Sequence, residues 1–376
     1  MRIAVVNLTA GGLSGGYRKY LGELIPLLRM HPDVERVDVF VPAAAMKPEV
    51  MEAAGYRSWP PDDARRGFPS LRTQIAAAAP DVVFIPTSRW LDFGGIPTVV
   101  MIRNMEPLER PFAGNTLAEA ARNIYRAHAA RRASLRADRT IAVSQHVHDF
   151  ILERWSLRPE RVGMVYHGIE SEGMEATRCP PRLAQSDMSR LLFTAGSLRP
   201  ARGLEDVIAA LATLRGDGYD FQLAIAGAAD PTSRQYPPRM EALARQLGVD
   251  KAIVWLDRIS VAEMAWCFDH SRAFVMTSRC EACPNTALEA MARGALCVST
   301  DKAPMPEFFA DAALYYPAED AAGLAGRLRT VSTMETREAL ALREAARTRA
   351  AAFSWLTTAE RTVAELAAAI RSRSAT

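Results

Sequence analysis

Glu281 and Glu289 stand eight positions apart in the stretch M-T-S-R-C-E-A-C-P-N-T-A-L-E-A-M-A-R-G-A-L-C-V-S, residues 276–299. Two carboxylates set at a strand end and in the helix that follows can accept hydrogen bonds from sugar-like hydroxyls. A plainer reading is open for each: Thr286 and Glu289 fit the T-x-x-E pattern of a capping box, and Glu281 fits a solvated loop. A second constellation lies upstream. The run G-S-L-R-P-A-R-G, residues 196–203, delivers Arg199 and Arg202 just after an apolar segment. A guanidinium fork meets a diphosphate with two parallel hydrogen bonds, so this is chemistry for an anion, unless both are solvated arginines of a surface turn. A third is T-A-G-G-L-S-G-G, residues 9–16, where four glycines follow an apolar strand. Such a turn lets backbone N–H groups approach a phosphate at a helix N-terminus. It is neither G-x-G-x-x-G nor a Walker loop, and a tight turn without a ligand explains it equally well.

The elements that must position these residues follow from apolar patterning. Ala273–Met276 reads as a strand, Asn285 opens a helix, Gly294 closes it, and residues 295–299 read as the next strand. That is a βαβ unit, whose ligands sit at the carboxyl ends of the strands. Similar apolar strands are expected at residues 2–7, 36–41, 81–85, 98–102, 140–143 and 162–166, and again at 191–195, 221–226 and 253–257. Helices are expected between them, for example over 17–30, 115–138, 144–155 and 236–248, while 42–80 looks irregular apart from a short helix near 71–79. Strand and helix alternating in this way predict open parallel sheets. The polar segment 171–190, with Pro180-Pro181 inside it, marks a boundary between two αβ halves of a 376-residue chain.

Composition narrows the function classes. A net charge of +3 with 49% hydrophobic and 24% charged residues describes a water-soluble globular protein with no general nucleic-acid-binding character. No apolar run reaches the ~18 residues of a spanning helix, and the N-terminus reads as a strand rather than a signal peptide, so the expected location is the cytoplasm. Five scattered cysteines suit a reducing compartment. Cys280-x-x-Cys283 has no second pair, so small loop residues are a better reading than a zinc or redox site. The helix over 115–138 carries Arg122, Arg126, Arg131, Arg132 and Arg136. All but Arg131 fall within an arc of roughly 140°. Such a face, with Arg139 just beyond it, suits anionic lipid headgroups or a lipid-linked diphosphate, or is simply solvated.

The pattern S-x-x-E-x-x-x-N-x-x-L-E-A-M-A-x-G resembles the E-x7-E signature of the retaining GT-B glycosyltransferases of family 4. Other segments are similar to that family in the same order: A-D-R-T-I-A-V-S, H-G-I at 167–169, G-S-L-R-P-A-R-G against G-R-L-x-x-x-K-G, and F-S-W at 353–355 before a final helix. The resemblance implies two facing Rossmann-like domains with a cleft between them. The first would span 1–172, the linker 173–190 and the donor-binding domain 191–354, with the helix from 355 to 376 crossing back to the first domain. It implies transfer of a hexose from UDP- or GDP-sugar to a glycan or lipid-linked acceptor in cell-surface polysaccharide or glycolipid synthesis, with retention of anomeric configuration. No metal and no cofactor beyond the donor are expected, and a peripheral contact with the inner face of the plasma membrane is expected through the basic helix.

Site roles carry over residue by residue. Glu281 would contact the donor sugar and Glu289 the ribose hydroxyls, with Asn285 and Thr286 at the helix start beside the diphosphate. Arg202 stands for the family lysine. Ser197 replaces the family's first arginine, and Arg199, two positions on, would supply its charge. Gly11 and Gly12 would lie over the diphosphate, and Arg258 and Ile259 near the base. Arg103-Asn104 stands where many members carry His-Asp facing the sugar or acceptor. The rival readings are a nucleotide-sugar 2-epimerase of the same layout, a non-catalytic nucleotide-sugar-binding protein, and an adaptor at a lipid surface.

Overall fold

The computed structural model describes residues 1–9, 15–45, 54–170, 177–229 and 233–374. The chain divides into two compact units, one of Met1–Met105, Ile124–Gly168 and Ser354–Thr376, the other of Glu106–Asn123 and Ile169–Phe353.

The first half of the chain runs β1 (Arg2–Val6), α1 (Gly15–Met30), β2 (Arg36–Pro42), β3 (Tyr56–Trp59), α2 (Pro69–Ala78), β4 (Val82–Ile85), β5 (Thr98–Ile102), α3 (Glu106–Glu109), α4 (Leu117–Arg136), β6 (Arg139–Ala142), α5 (Gln145–Trp155) and β7 (Val162–Met164). Its strands form one parallel sheet in the order β3-β2-β1-β4-β5-β6-β7. β4 and β5 are buried at every position, which only a sheet covered on both faces explains. β3 lies in the stretch whose sequence looks irregular. Its four residues, Y-R-S-W, bury Trp59 alone, so alternation over so short an edge strand leaves almost no signal. α4 starts later than its sequence pattern suggests because Thr116 and Glu119 bond reciprocally across its first turn, each at 3.3 Å.

The second half runs β8 (Leu191–Ala195), α6 (Leu204–Gly216), β9 (Gln222–Ala226), α7 (Tyr236–Gln246), β10 (Ile253–Asp257), α8 (Val261–His270), β11 (Ala273–Met276), α9 (Asn285–Ala292), β12 (Cys297–Thr300), α10 (Met305–Phe309), β13 (Ala313–Tyr316), α11 (Ala321–Thr333), α12 (Thr336–Ala350) and α13 (Trp355–Ser374). Here the parallel order is β10-β9-β8-β11-β12-β13. Both sheets are Rossmann-like, as the alternation of apolar strands with helices predicts. In each the direction of winding reverses beside the first strand, between β1 and β4 and between β8 and β11. Loops leaving those two strands diverge and open a crevice at their carboxyl ends.

α13 belongs to the first unit. It packs on α1 and on β4, β5 and β6, and Arg139 pairs with its Glu365 at 2.6 Å. Gly168 makes room for it: a Cβ there would stand 2.2 Å from the Trp355 backbone nitrogen. The buried His167 ring lies 4.9 Å from Tyr20 and stacks with Trp355 at 6.3 Å, so H-G-I and F-S-W meet in one junction. The segment Glu106–Asn123 is held by the second unit through Arg110–Glu319 at 2.6 Å and Arg199–Glu106 at 2.5 Å. Among the described residues no helix is long and apolar enough to cross a membrane.

Candidate functional site

In the second unit Arg202 and Glu281 come from the two strands that flank the winding reversal, one after β8 and one after β11. The chain leaving β8 turns through Gly196 and reaches Arg199, Pro200 and Arg202. The Arg202 guanidinium donates to Ser278 Oγ at 2.9 Å and lies 3.2 Å from Glu281 Oε1. Ser278 passes the bond on, donating to Glu281 at 3.0 Å. The pair is largely withdrawn from water, with side chains 12% and 21% exposed, and Ser278 is fully buried.

Two glycines make this geometry. Gly196 has φ +140°, and a Cβ on it would lie 2.3 Å from Arg202 Nη2, so the guanidinium occupies the space a side chain would take. Gly203 has φ +67°, and a Cβ there would lie 2.4 Å from the Thr277 carbonyl oxygen. That close approach lets Thr277 Oγ1 donate to the Arg202 carbonyl at 2.7 Å and Arg279 N–H to Ala201 at 2.9 Å, which ties the two loops together. Arg279 fixes the second loop from below, donating to Asp206 at 2.9 Å and lying 3.5 Å from Glu205. Burial pushes the Asp206 carboxyl above its ordinary range, against the opposing pull of Arg279.

Glu289 is the fifth residue of α9 and half-buried, and the capping box suggested by T-x-x-E is not formed. Pro284 occupies the N-cap without a side-chain cap bond, so Asn285 and Thr286 are already inside the first turn and Glu289 is not needed to start the helix. Gly294, at φ +65°, follows the helix as its sequence position suggests. The Asn285 N–H donates to the Cys283 carbonyl at 3.0 Å and the Ala287 N–H to Pro284 at 2.9 Å, so what the helix start offers an anion is chiefly the positive end of its dipole.

Other expected residues fall elsewhere. Arg199 turns to Glu106, whose carboxylate it meets at 2.5 Å, while Arg202 turns to Glu281. Ser197 is exposed beside them. Arg258, exposed, and Ile259, half-buried, follow β10 at the sheet edge, two strands from β8, or roughly 10 Å at the usual strand spacing. In the first unit Arg103 lies over the Tyr20 and Tyr17 rings at 4.3 and 4.8 Å and donates to the Gly16 carbonyl at 3.3 Å, while Asn104 is exposed. Gly11 and Gly12 lie outside the described residues, as do 171–176 of the segment read as a linker. Cys280 and Cys283 form no disulfide. The Cys280 thiol donates to Glu109 at 3.3 Å, and burial, with Glu109 beside it, pushes its pKa up, so it is no thiolate. Among the described residues no group of three or more His, Cys, Asp or Glu is disposed to hold a metal ion.

Sequence reasoning gave no role to Ser278 or Glu106. Ser278 was visible as the first letter of S-x-x-E. Glu106 carries no local signal, because its partner Arg199 is 93 positions away.

The family "Glycosyl transferases group 1" matches residues 178–349, and the family "Glycosyltransferase Family 4" matches residues 15–172. No curated protein sequence matches the chain. Solved structures do. Anabaena HepE in complex with UDP-glucose superposes with a TM-score of 0.77 at 16% identity, covering 98% of this chain and 99% of that one. Sucrose-phosphate synthase from Thermosynechococcus elongatus gives 0.77 at 17%, covering 97% and 98%. WaaG, a glycosyltransferase involved in lipopolysaccharide biosynthesis, gives 0.67 at 16%, covering 97% and 99%. At these identities the structures speak for the fold, and the two successive family matches speak for the chemistry. Its halves match these two glycosyltransferase families in order, and they fold as two Rossmann-like sheets, the fold of the GT-B glycosyltransferases.

Proposed function

We propose that this protein transfers a hexose from a nucleoside diphosphate sugar, UDP or GDP, to a hydroxyl of a glycan or lipid-linked glycan, with retention at the anomeric carbon and without a metal. The observation that carries the reading is the Arg202–Ser278–Glu281 cluster at the winding reversal of the second sheet. Negative charge grows on the leaving diphosphate as the glycosidic bond breaks. A guanidinium already oriented by Ser278 and desolvated by its glycine-lined niche stabilises that charge without reorganising. The positive end of the α9 dipole, at Asn285 and Thr286, adds to it. When the diphosphate draws Arg202, Glu281 is released to accept from a sugar hydroxyl. Glu289, four residues on from the first turn position of α9, accepts from the ribose hydroxyls.

Arg199 is a second cation for the diphosphate, held ready by Glu106. Ser197 and the loop glycines Gly11 and Gly12 complete the donor contacts, Arg258 and Ile259 approach the base, and Arg103 with Asn104 serves sugar or acceptor. A lipid-linked acceptor is supported by α4, where Tyr125 is exposed among the arginines, with Leu117, Ile124 and Leu135 exposed on the helix's other side. The place of work is then the cytoplasmic face of the membrane, in polysaccharide or glycolipid synthesis.

The test is incubation with a panel of UDP- and GDP-hexoses, following nucleoside diphosphate release and the anomeric configuration of the product by NMR. Release with a retained anomer is expected. An inverted anomer, an epimerised sugar, or binding of every donor without turnover would sink the proposal.

A further inference from the structure

The first unit holds a cavity of about 440 Å3 that none of the donor contacts uses. It lies where that sheet's winding reverses. Leu8 reaches it from the end of β1 and Ser88–Asp92 from the loop after β4, with α4 forming the opposite wall. Five of its lining residues are arginines, namely Arg72, Arg89, Arg126, Arg132 and Arg136, against a single carboxylate, Asp92. Arg72, Arg89, Arg132 and Arg136 make no ion pair among the described residues. Asp92 is itself turned to the Gly94 N–H, which it accepts at 3.1 Å.

The wall is built rather than loose. Arg136 sits 5.2 Å from the Trp90 ring centre, the Trp90 indole N–H donates to Thr98 Oγ1 at 3.1 Å, and the Thr98 N–H donates to Asp138 at 2.7 Å. Burial, and further the like charge of Arg126, lowers the Arg89 pKa. Like charges that outnumber the carboxylates among them raise the free energy of the protein, and an anion relieves it. Trp90, Tyr125 and Phe68 supply flat apolar faces of the kind on which a sugar ring lies. The volume suits one small ligand, since such sites run from about 300 to 1,000 Å3.

We propose that this cavity binds a phosphate-bearing acceptor: Arg89 and Arg132, with Arg136 locked over Trp90, hold a phosphoryl group while the aromatic wall takes the ring attached to it. The acceptor role rests on the transferase reading above; binding of phosphate at this site does not. Two sources share the chemistry, a soluble sugar phosphate and the phosphate headgroup of a lipid.

The experiment is titration calorimetry of the full chain with glucose 6-phosphate and with glucose, alongside co-sedimentation with phosphatidylcholine vesicles with and without phosphatidic acid. UDP binding is measured in parallel. Expected is binding of glucose 6-phosphate but not glucose, or of phosphatidic acid vesicles but not plain ones, and the arm that responds names the source. Arg89→Ala with Arg132→Ala should weaken that binding by about tenfold or more per guanidinium, and Arg132→Lys should restore part of it. Affinity for glucose 6-phosphate should fall as pH drops below about 6, where the phosphate loses its second charge. The double variant should bind UDP as the parent does, which shows that it is folded. No binding in either arm, or binding indifferent to the two substitutions, overturns the proposal. Failure of UDP to bind the parent protein would instead count against the donor site and leave this one standing.

Discussion

Replacing Arg202 by alanine separates the catalytic role of the Arg202–Glu281 contact from its structural one. The structural loss can be worked from burial. The pair lies 3.2 Å apart with side chains 12% and 21% exposed. Exposed pairs are worth about 1 kcal/mol or less, and breaking a fully buried one costs about 3–5 kcal/mol. Here Ser278 still donates to Glu281 at 3.0 Å, so the orphaned carboxylate keeps one partner. About 2 kcal/mol is the expected loss, most of it the desolvation of a charge without its counter-ion. For a unit of this size that is a fall of roughly 4–8 °C in Tm. Adding Glu281→Gln to Arg202→Ala removes the stranded charge, and Tm should return most of the way. Activity should behave differently. A cation aimed at developing diphosphate charge is worth roughly a hundredfold or more in kcat, about 2.7 kcal/mol, and neutralising Glu281 does not replace it. The assay is thermal unfolding and nucleoside diphosphate release on the parent, both single variants and the double. If the double variant regains turnover together with Tm, or if Arg202→Ala loses Tm alone, Arg202 is a structural ion-pair partner and the mechanism fails.

Four further outcomes are expected of the same molecule. Glu289→Ala should weaken nucleoside diphosphate binding by about 2 kcal/mol, roughly 30-fold in Kd; calorimetry against UDP and GDP decides. Gly196→Ala should cost about 1–3 kcal/mol of backbone strain and also expel the Arg202 guanidinium, so kcat falls toward the Arg202→Ala value although every charge is kept. Asp81 is held below its ordinary carboxylate range by the hydrogen bonds from Arg2, so its contribution is complete above about pH 4 and fades as pH falls through the lowered folded value. Asp81→Asn should therefore reduce stability at neutral pH and match the parent in strong acid, as followed by urea unfolding across pH. Burial pushes Cys267 and Cys297 to about 12, so at pH 8 their thiolate fraction is about one in ten thousand, and iodoacetamide should modify the half-exposed Cys179 and Cys283 first, as read by mass spectrometry.

What could be read from the chain beforehand was whatever is encoded locally. A fully buried parallel strand is apolar at nearly every position, so V-V-F-I and A-F-V-M announce themselves, and glycine after α9 and serine before α5 and α8 announce helix ends. The Arg202–Glu281 contact was legible only through motif resemblance, because 79 positions separate them and no periodicity spans that distance. Glu106 was illegible for the same reason without the help of a motif. The capping-box alternative for T-x-x-E is not realised, because the helix already starts after Pro284, two residues before Thr286, where a fixed φ serves as the start. The arginines of α4 read as one stripe, for anionic lipid or a lipid-linked diphosphate or else for solvent. Their common destination depended on the loop after β4, which places Arg89 and Trp90 opposite them and whose path the sequence does not encode locally.

Two carboxylates, Glu106 and Glu281, each hold an arginine of the G-S-L-R-P-A-R-G loop in the unliganded protein. On the proposed function, that arrangement answers a problem any diphosphate site faces. Two cations brought close together repel and would splay into solvent, and every donor that bound would have to gather them again. A carboxylate partner for each keeps them in place at neutral net charge. Such a clamp has a cost, since the donor must compete with it. On the proposed function the cost would be small for Arg202, because the displaced Glu281 oxygen would gain a sugar hydroxyl as its new donor, so ion pair and hydrogen bond would be exchanged rather than lost. The same logic makes glycine at 196 a requirement of the chemistry: the clamp can exchange partners only if the guanidinium lies in the loop's own backbone groove, and a side chain at that position would fill the groove.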